Sequence, residues 1–496
     1  MIADWYLLVP ILLPVVSGLA IALSPRVGEG KARNPVVLTT LCLNVAALLP
    51  VLFTGDMTLP LFTLSDNLPI FLAVDGAGRW FSAIMCFVWA AAGAYSFEYM
   101  AHEDCLRRYY SFYLLTLGVL MGLCFAGSIV TFYMFYELMT LLSMPMVLHT
   151  MKKDAVAAGV KYLIYSIIGA SLALLGVFVL SPYVTTFAFT PGGVLNAEAV
   201  AGHENLVLTM AFLMLLGFST KAGMFPLHGW LPTAHPAAPS PASAVLSGVI
   251  TKAGVLGVLR LIYCFIGADF LRGSWVQTAY MSLTLFTVFM GSLLAYKEGL
   301  LKKRLAYSTV SQVSYVLFGL STMHPLGFVG ALLHVLAHSL IKDTLFMSAG
   351  AIICKTGKTR VDELEGIGKQ MPVTMWCFTL VSLGLIGIPP MLGFISKWYL
   401  AQGAQAMSGV ASFFSWLGPV TLLVSAVLTA GYLLPISIKG FLPGHQADGT
   451  PKFFEKREPT YVMLIPLVIL TALSVLAGLF PTSLITCLTG LAGALM

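Results

Sequence analysis

Residues 215–232 read LLGFSTKAGMFPLHGWLP, and residues 383–397 read LGLIGIPPMLGFISK. Each stretch begins as an apolar helix and then reaches proline, which removes a backbone hydrogen-bond donor and clashes with the preceding helical turn. We therefore predict two helices that are interrupted in the middle. A lysine lies close to each interruption, Lys221 before the first and Lys397 after the second.

The composition predicts a chain that lies almost entirely in a lipid bilayer. Of its 496 residues, 58% are hydrophobic and 10% are charged, and the mean hydropathy is +0.90. An average soluble domain carries about 25% charged residues, and a spanning helix needs about 20 apolar residues. We predict an all-α polytopic membrane protein with fourteen spans, namely 5–24, 36–53, 78–100, 111–126, 128–150, 159–181, 206–226, 240–264, 276–294, 305–322, 327–353, 372–402, 415–437 and 461–484.

The loops between these spans predict the orientation, because basic residues in short loops stay on the cytoplasmic side. The loops after spans 1, 3, 5, 9, 11 and 13 hold 19 lysines and arginines, whereas the opposite loops hold only Arg79 and Arg272. We predict the inner, cytoplasmic membrane as location, with both termini on the non-cytoplasmic side. The formal net charge of +6 therefore reflects topology and does not indicate nucleic-acid binding.

Six ionisable side chains lie inside the apolar spans, where each costs roughly 2.5–3.5 kcal/mol on insertion scales and by default marks an ion or proton path. They are Glu137, Lys161, Lys221, Lys252, Lys342 and Lys397. Glu137 lies near the middle of span 5, and we expect Lys221 to be its ion-pair partner. Such a pair either gates a proton path or only joins two helices.

Spans 8 and 11 contain the central part of the predicted path. Lys252 follows a run rich in serine and glycine, which predicts a thin or locally unwound helix that admits water. Complete burial disfavours the charged form of a lysine, so its proton exchanges nearer to neutral pH. His334, His338 and Lys342 recur at i, i+4 and i+8 and form one stripe. Imidazole both accepts and donates near neutral pH, which favours a proton relay.

Other readings of these residues stay open. The two histidines have the spacing of zinc ligands, but the three residues between them include no glutamate. Eight scattered cysteines and the lack of a phosphate-binding loop lead us to expect no cofactor in this chain. Lys161 and His228 are further candidate relay members. The alternatives are that Lys161, like Arg260, extends toward lipid headgroups, and that His228 and His235 are surface histidines.

The motif around the first interruption resembles the signature of proton-conducting antiporter-like membrane subunits. It runs from Lys221 through Phe225-Pro226-Leu227-His228-Gly229-Trp230-Leu231-Pro232 and Ala238-Pro239-Ser240-Pro241 to Lys252. That family supplies large membrane-arm subunits of respiratory complex I, large subunits of Mrp antiporters, and subunits of membrane-bound hydrogenases. Residues 301–309 and 387–397 extend the similarity, which covers nearly the whole chain.

The resemblance implies two inverted five-helix repeats, formed by helices 4–8 and 9–13, with helices 7 and 12 broken. It divides the chain into N-terminal helices in 1–110, repeats in 111–264 and 276–437, and a C-terminal helix in 461–496. By position, the family's functional residues correspond here to Glu137 on helix 5, Lys221 on helix 7, Lys252 on helix 8, His334 and His338 on helix 11, and Lys397 on helix 12.

These observations predict a proton-translocating subunit of a multisubunit membrane complex. The complex is either an Mrp-type cation/proton antiporter or a redox-driven pump of the NADH dehydrogenase or hydrogenase type. The expected partners are other membrane subunits, including paralogous antiporter-like ones, and the chain is not expected to be catalytic alone. Two alternatives remain, a stand-alone secondary transporter of a small solute and a scaffold that has lost conduction. The row of lysines, with no evident substrate pocket, disfavours the transporter.

Overall fold

The computed structural model describes residues 3–65, 68–407, 412–442 and 454–496. Lys452, one of the basic residues in the loop after span 13, lies outside these ranges. The long helices, in chain order, are α1 (Asp4–Leu23), α2 (Arg33–Phe53), α3 (Gly76–His102), α4 (Leu106–Cys124), α5 (Ile129–Val147), α6 (Lys153–Tyr183), α7 (Glu204–Ala222), α8 (Ser240–Ile266), α9 (Trp275–Lys297), α10 (Leu301–Ser321), α11 (Pro325–Thr356), α12 (Pro372–Ile386), α13 (Leu392–Gln405), α14 (Phe414–Phe441), α15 (Tyr461–Leu479) and α16 (Thr482–Leu495).

Within the described ranges, eleven of these helices are long and apolar enough to cross a membrane. The other five are α4, α10, α12, α13 and α16. Short helical segments lie between the long ones, at Pro25–Gly28, Ala197–Val200, Leu231–Ala237, Ala268–Leu271, Val361–Leu364 and Ile367–Gln370. The predicted class, a mostly helical polytopic membrane protein, is confirmed.

Two details of the predicted fold were wrong. The all-helical prediction missed an antiparallel hairpin of β1 (Met57–Thr63) and β2 (Pro69–Val74), in which Met57 pairs with Val74. Every side chain of β2 is apolar, so the alternation typical of a strand shows only in its burial and not in its sequence. The span predicted over 461–484 ends at Leu479, and α16 begins after Pro481, whose backbone has no N–H to continue the helix.

The two predicted helix interruptions are present. Helix α7 ends at Gly223 with φ 82°, and α12 ends at Gly387 with φ 93°. Glycine tolerates this left-handed conformation because it has no Cβ, and it often ends helices for that reason. Proline follows in both loops, where the Phe225-Pro226 and Pro389-Pro390 peptide bonds are cis. The chain becomes helical again only at Leu231 and Leu392.

Helices α8 and α11 form the centre of the protein. All residues in the most apolar 18-residue window of α8 are buried, as are 83% of those in α11, compared with 33% in α1. The sequence predicted that α8 is thin or locally unwound. The helix is not unwound but widens into π turns at Leu246–Ile250 and Leu261–Ile266. Such turns occur frequently at functional sites. The polar side chains of α8 and α11 therefore face the protein interior and not lipid.

Candidate functional site

The centre of the site is a direct contact between α8 and α11. Nζ of Lys252 lies 2.6 Å from Nδ1 of His338 and donates to the backbone oxygen of Ser247 at 2.7 Å. Lys252 is 1% exposed and His338 is fully buried. Ser247 belongs to the first π turn, so this wide turn supplies one of the acceptors of the lysine. An ammonium donor beside an imidazole acceptor is an arrangement through which a proton can pass.

The second histidine extends this contact toward α13. The ring centroids of His334 and His338 are 6.3 Å apart. Nδ1 of His334 lies 2.9 Å from Oγ of Ser396, which directly precedes Lys397. The Tyr315 ring stacks on His334 at a centroid distance of 5.4 Å and lies 5.1 Å from Nζ of Lys397. The histidines therefore connect the π turn of α8 with the second interrupted helix.

The second interruption itself holds Lys397. Nζ of Lys397 donates to the backbone oxygens of Leu385 at 2.6 Å and Ile386 at 2.9 Å. Both carbonyls belong to the last turn of α12, where a helix leaves its carbonyl groups without intrahelical donors. The broken helix therefore provides a polar cradle for this lysine. Among the described residues, the acceptors in this cradle are backbone carbonyls and not acidic side chains.

Lys221 does not form the predicted ion pair with Glu137. Its Nζ, which is buried, donates to three hydroxyl oxygens, those of Thr140 at 2.8 Å, Ser166 at 2.8 Å and Tyr162 at 3.0 Å. Glu137 is half-buried and accepts a hydrogen bond from the Tyr133 hydroxyl at 3.3 Å. The prediction was wrong because three hydroxyl groups from α5 and α6 already satisfy the ammonium. Sequence spacing did not reveal that these hydroxyl groups converge.

The side chain of Lys342 does not lie along the predicted stripe with His334 and His338. Its Nζ donates to the backbone oxygen of Leu305 at 3.1 Å and to Oγ of Ser308 at 2.7 Å, both on α10. Oγ of Ser308 lies 2.6 Å from the Tyr432 hydroxyl on α14. The backbone positions of the stripe are as predicted, but the long lysine side chain extends toward α10 and makes no hydrogen bond to His338.

The candidate relay members Lys161 and His228 lie near the first interruption. Nζ of Lys161 donates to Oγ1 of Thr233 at 3.1 Å. His228 is half-buried, and its Nδ1 has no hydrogen-bond partner among the described residues. His235 is fully buried and stacks on Phe346 at a centroid distance of 4.6 Å. The surface interpretation is therefore wrong for His235.

Arg260 does not extend toward lipid headgroups but pairs with Asp75 through two hydrogen bonds. The side chain of Arg260 is 3% exposed and that of Asp75 is 39% exposed. Burial opposes ionisation of Asp75, yet the guanidinium of Arg260 holds the pKa of this carboxyl below its usual value. The pair joins the start of α3 to the far end of α8.

Sequence reasoning missed one ionisable residue in the core, Asp343. It follows Lys342 in α11 and is fully buried, and neither carboxylate oxygen has a hydrogen-bond partner within the described ranges. Its place in an apolar span could have identified it, because the same criterion identified Lys342. It was overlooked because it lies off the i, i+4 row of the histidines. The described residues contain no group of three or more His, Cys, Asp and Glu that could hold a metal ion.

Several known proteins are similar to this chain. A family model described as "NADH:quinone oxidoreductase/Mrp antiporter, TM" matches residues 126–431. NADH-quinone oxidoreductase subunit N from Desulforudis audaxviator is 32% identical over 84% of this chain and 83% of that protein. Hydrogenase-4 component B from Escherichia coli is 30% identical over 82% of this chain and 62% of its own length. Na(+)/H(+) antiporter subunit A1 from Staphylococcus haemolyticus is also 30% identical, over 83% of this chain and 52% of that protein.

Two solved structures share the fold. A chain in the Mrp complex from Dietzia sp. DQ12-45-1b superimposes with a TM-score of 0.86 and 21% identity, covering 100% of this chain and 98% of that one. A chain of the membrane-bound sulfane sulfur reductase, an archaeal respiratory membrane complex, gives 0.83 and 22% identity, with 98% and 97% covered. The likeness extends over the whole length of the described protein.

Proposed function

Because the chain belongs to the family of NADH:quinone oxidoreductase and Mrp antiporter transmembrane subunits, we propose that it translocates protons as one subunit of a multisubunit membrane complex. The observation that carries this proposal is the 2.6 Å contact between Lys252 and His338 in the core. It joins two titratable groups on the deeply buried helices α8 and α11, where ionisable residues are costly and are retained for function.

The proposed path begins at Lys252, which takes a proton from the cytoplasmic side. The proton then passes to His338 and His334 and reaches Lys397 through the Ser396 hydroxyl. Imidazole transfers a proton because one ring nitrogen accepts while the other donates. The two imidazole rings lie 6.3 Å apart between their centroids. Release on the opposite side starts from Lys397, whose hydrogen bonds within the described ranges go to backbone carbonyls.

Lys221 and Glu137 are proposed to control this path. Lys221 lies on α7 close to α8, since a Cβ placed on Gly254 would lie 3.1 Å from Cβ of Lys221. Gly254 is two residues from Lys252, so the two lysines lie on touching helix segments. We propose that Lys221 exchanges its hydroxyl acceptors for Glu137 when the neighbouring subunit changes state. Movement of its charge toward or away from Lys252 would then lower or raise the proton affinity of Lys252 by like-charge repulsion.

The finer architecture is part of the same proposal. Helices α1 to α11, the α12/α13 pair, α14 and α15 would make fourteen crossings, with inverted repeats in 111–264 and 276–437. The two interruptions support this arrangement, because each lies in the fourth crossing of its repeat and has a left-handed glycine and a lysine nearby. The basic loops support an orientation in the cytoplasmic membrane with both termini outside the cytoplasm.

The test is a reconstituted parent complex that carries Lys252→Ala or Glu137→Gln. We expect coupled proton translocation to fall at least about tenfold, because a relay member or its control is lost. The matched control is Lys369→Ala, which removes an exposed lysine of the same chain and should leave translocation unchanged. Normal assembly together with unchanged translocation in the Lys252 variant would refute the proposal. Purification of the chain without other membrane subunits would contradict its place in a complex.

A further inference from the structure

Asp343 is a buried acid that the proposed path does not use. It is the only fully buried aspartate among the residues that the structure describes. Its oxygens have no hydrogen-bond donor within the described ranges. An ionised carboxylate without a partner is very costly in an apolar interior, so such a group normally takes up a proton or compensates a nearby positive charge.

The space beside Asp343 is formed by the first π turn of α8. A Cβ added to Gly248 would overlap Oδ1 of Asp343, so the carboxyl group fits only because this position is glycine. One turn earlier on α11, Oγ of Ser339 donates to the backbone oxygen of Gly248 at 2.7 Å. The carboxyl group therefore packs directly against the backbone of the widened turn.

Lys252 binds the adjacent residue of the same turn. Its Nζ donates to the oxygen of Ser247, and Asp343 packs against Gly248. The two side chains come from different helices and contact successive residues of the same π turn. The ammonium of the neighbouring Lys342 points to α10 and is not hydrogen-bonded to Asp343.

From this geometry we propose that Asp343 is a second proton-binding group, which shares one proton with Lys252 across the π turn. In one state Asp343 is a neutral carboxylic acid and Lys252 a neutral amine; in the other, the proton has moved and the pair is a carboxylate and an ammonium. Neither state gives the pair a net charge. This inference rests on the proposed function, and it identifies the group that reloads Lys252.

The proposed exchange explains why proton transfer along the path occurs in steps. When Lys252 has passed its proton to His338 and His338 has passed it on, the ammonium of Lys252 no longer compensates the carboxylate of Asp343. That state is unfavourable in a low-dielectric interior, so the pair takes up a new proton from the cytoplasmic side. Asp343 would thereby couple the release of one proton to the uptake of the next.

The test uses the reconstituted parent complex with Asp343→Asn, which keeps the size of the side chain but cannot carry the proton. We expect proton translocation to fall at least about tenfold, since a proton-transfer group is lost. Asp343→Glu should retain a large part of the wild-type rate because it keeps the carboxyl group. Asp362→Asn, which changes an exposed aspartate, is the matched control and should have no effect.

Infrared difference spectroscopy adds a readout that a merely structural role would not change. The wild-type complex should show the carbonyl stretch of a protonated carboxyl group that is absent in Asp343→Asn and displaced in Asp343→Glu. Lys252→Met should strengthen this band, because removal of the positive charge favours the neutral acid. If Asp343→Asn does not assemble, the same band is sought in wild-type complex that contains ¹³C-labelled aspartate, where the label should displace it.

The outcomes separate this inference from the proposed function. Loss of translocation in Lys252→Ala with a wild-type rate in Asp343→Asn would overturn the role of Asp343 and leave the proposed function intact. Loss of translocation in Asp343→Asn without the carboxyl band would make Asp343 structural and would also overturn the inference. Wild-type rates in both variants would refute the proposed function itself.

Discussion

At the scale of single residues, the lysines of the proposed path and its control share one property, which is that their hydrogen bonds within the described ranges go to uncharged acceptors. Lys221 has hydroxyl acceptors, Lys397 has carbonyl acceptors, and Lys252 has a carbonyl and an imidazole. Neutral acceptors complete the hydrogen bonds of an ammonium group without neutralising its charge. A close carboxylate would instead stabilise the bound proton. The proton on such a lysine is therefore more easily released.

The Arg260–Asp75 pair is the opposite case, because charge is neutralised there. Asp75→Asn leaves a 3% exposed guanidinium without its carboxylate, and we expect the free energy of unfolding at pH 7 to fall by roughly 1–3 kcal/mol. The value lies below the usual cost of breaking a buried pair because Asp75 is itself 39% exposed. The measurement is reversible unfolding in detergent micelles. The control is Asp269→Asn, whose exposed pair with Arg272 should contribute at most about 1 kcal/mol.

The same pair predicts a pH dependence. The folded-state pKa of Asp75 lies below its unfolded value of about 3.9, because Arg260 outweighs the effect of burial. The stability from this group is therefore fully present above pH 4 and is lost as the pH falls through the folded-state pKa. Wild-type protein should lose more stability in this acid range than Asp75→Asn. Equal acid sensitivity of the two proteins would contradict the assignment.

At the scale of elements, the interrupted helices depend on two glycines more directly than on their prolines. Gly223 and Gly387 adopt φ 82° and 93°, where a Cβ is strained. A Cβ on Gly223 would also overlap Leu231, and one on Gly387 would lie 3.1 Å from Cδ of Lys397. The space beside each of these glycines is therefore taken up by a side chain that follows it in the sequence.

We expect Gly223→Ala and Gly387→Ala each to lower the free energy of unfolding by about 1–3 kcal/mol. The matched control is Gly490→Ala on α16, where a Cβ would meet no atom within 4 Å. That substitution should stabilise the protein by about 0.5–1 kcal/mol, because alanine loses less backbone entropy in a helix. Thermal unfolding in one detergent compares the three variants. A destabilised Gly490→Ala, or neutral loop variants, would show that the glycines are not what ends these helices.

At the scale of the whole molecule, the deeply buried helices α8 and α11 lie inside less buried ones such as α1. The outer helices expose large apolar side chains such as Phe178, Leu423 and Val427, each 65% exposed or more. Such surfaces face lipid or neighbouring membrane subunits, because the exposure of this much apolar area to water is unfavourable. The contact between Lys252 and His338 is thereby separated from the bilayer.

The proposed orientation predicts which loops a membrane-impermeant maleimide reaches in intact cells. Cys105, in the loop before α4, should react only after permeabilisation, because that loop is proposed to be cytoplasmic. Glu198→Cys, in the loop before α7, should react without it. Both are tested after the exposed Cys42 and Cys487 have been replaced by serine. Labelling in the reverse pattern would invert the orientation and with it the direction assigned to the path.

The sequence by itself determined most of the apolar helices, the places where α7 and α12 are interrupted, and which basic residues lie at depth. These features follow from local properties, namely apolar length, proline and glycine chemistry, and the cost of charge in a membrane. It did not determine the partners of those residues. The stripe of His334, His338 and Lys342 was predicted from spacing, yet only the fold turned Lys342 toward α10.

The tertiary structure alone decided that Lys221 binds hydroxyl groups, that Asp343 packs on Gly248, and that α8 widens where Lys252 needs an acceptor. Each of these depends on groups that meet from helices far apart in the chain. A sequence fixes the reach of a long side chain but not which of several polar neighbours lies within that reach. That choice depends on helix packing, which brings the hydroxyls of α5 and α6 to Lys221 and leaves Glu137 half-buried.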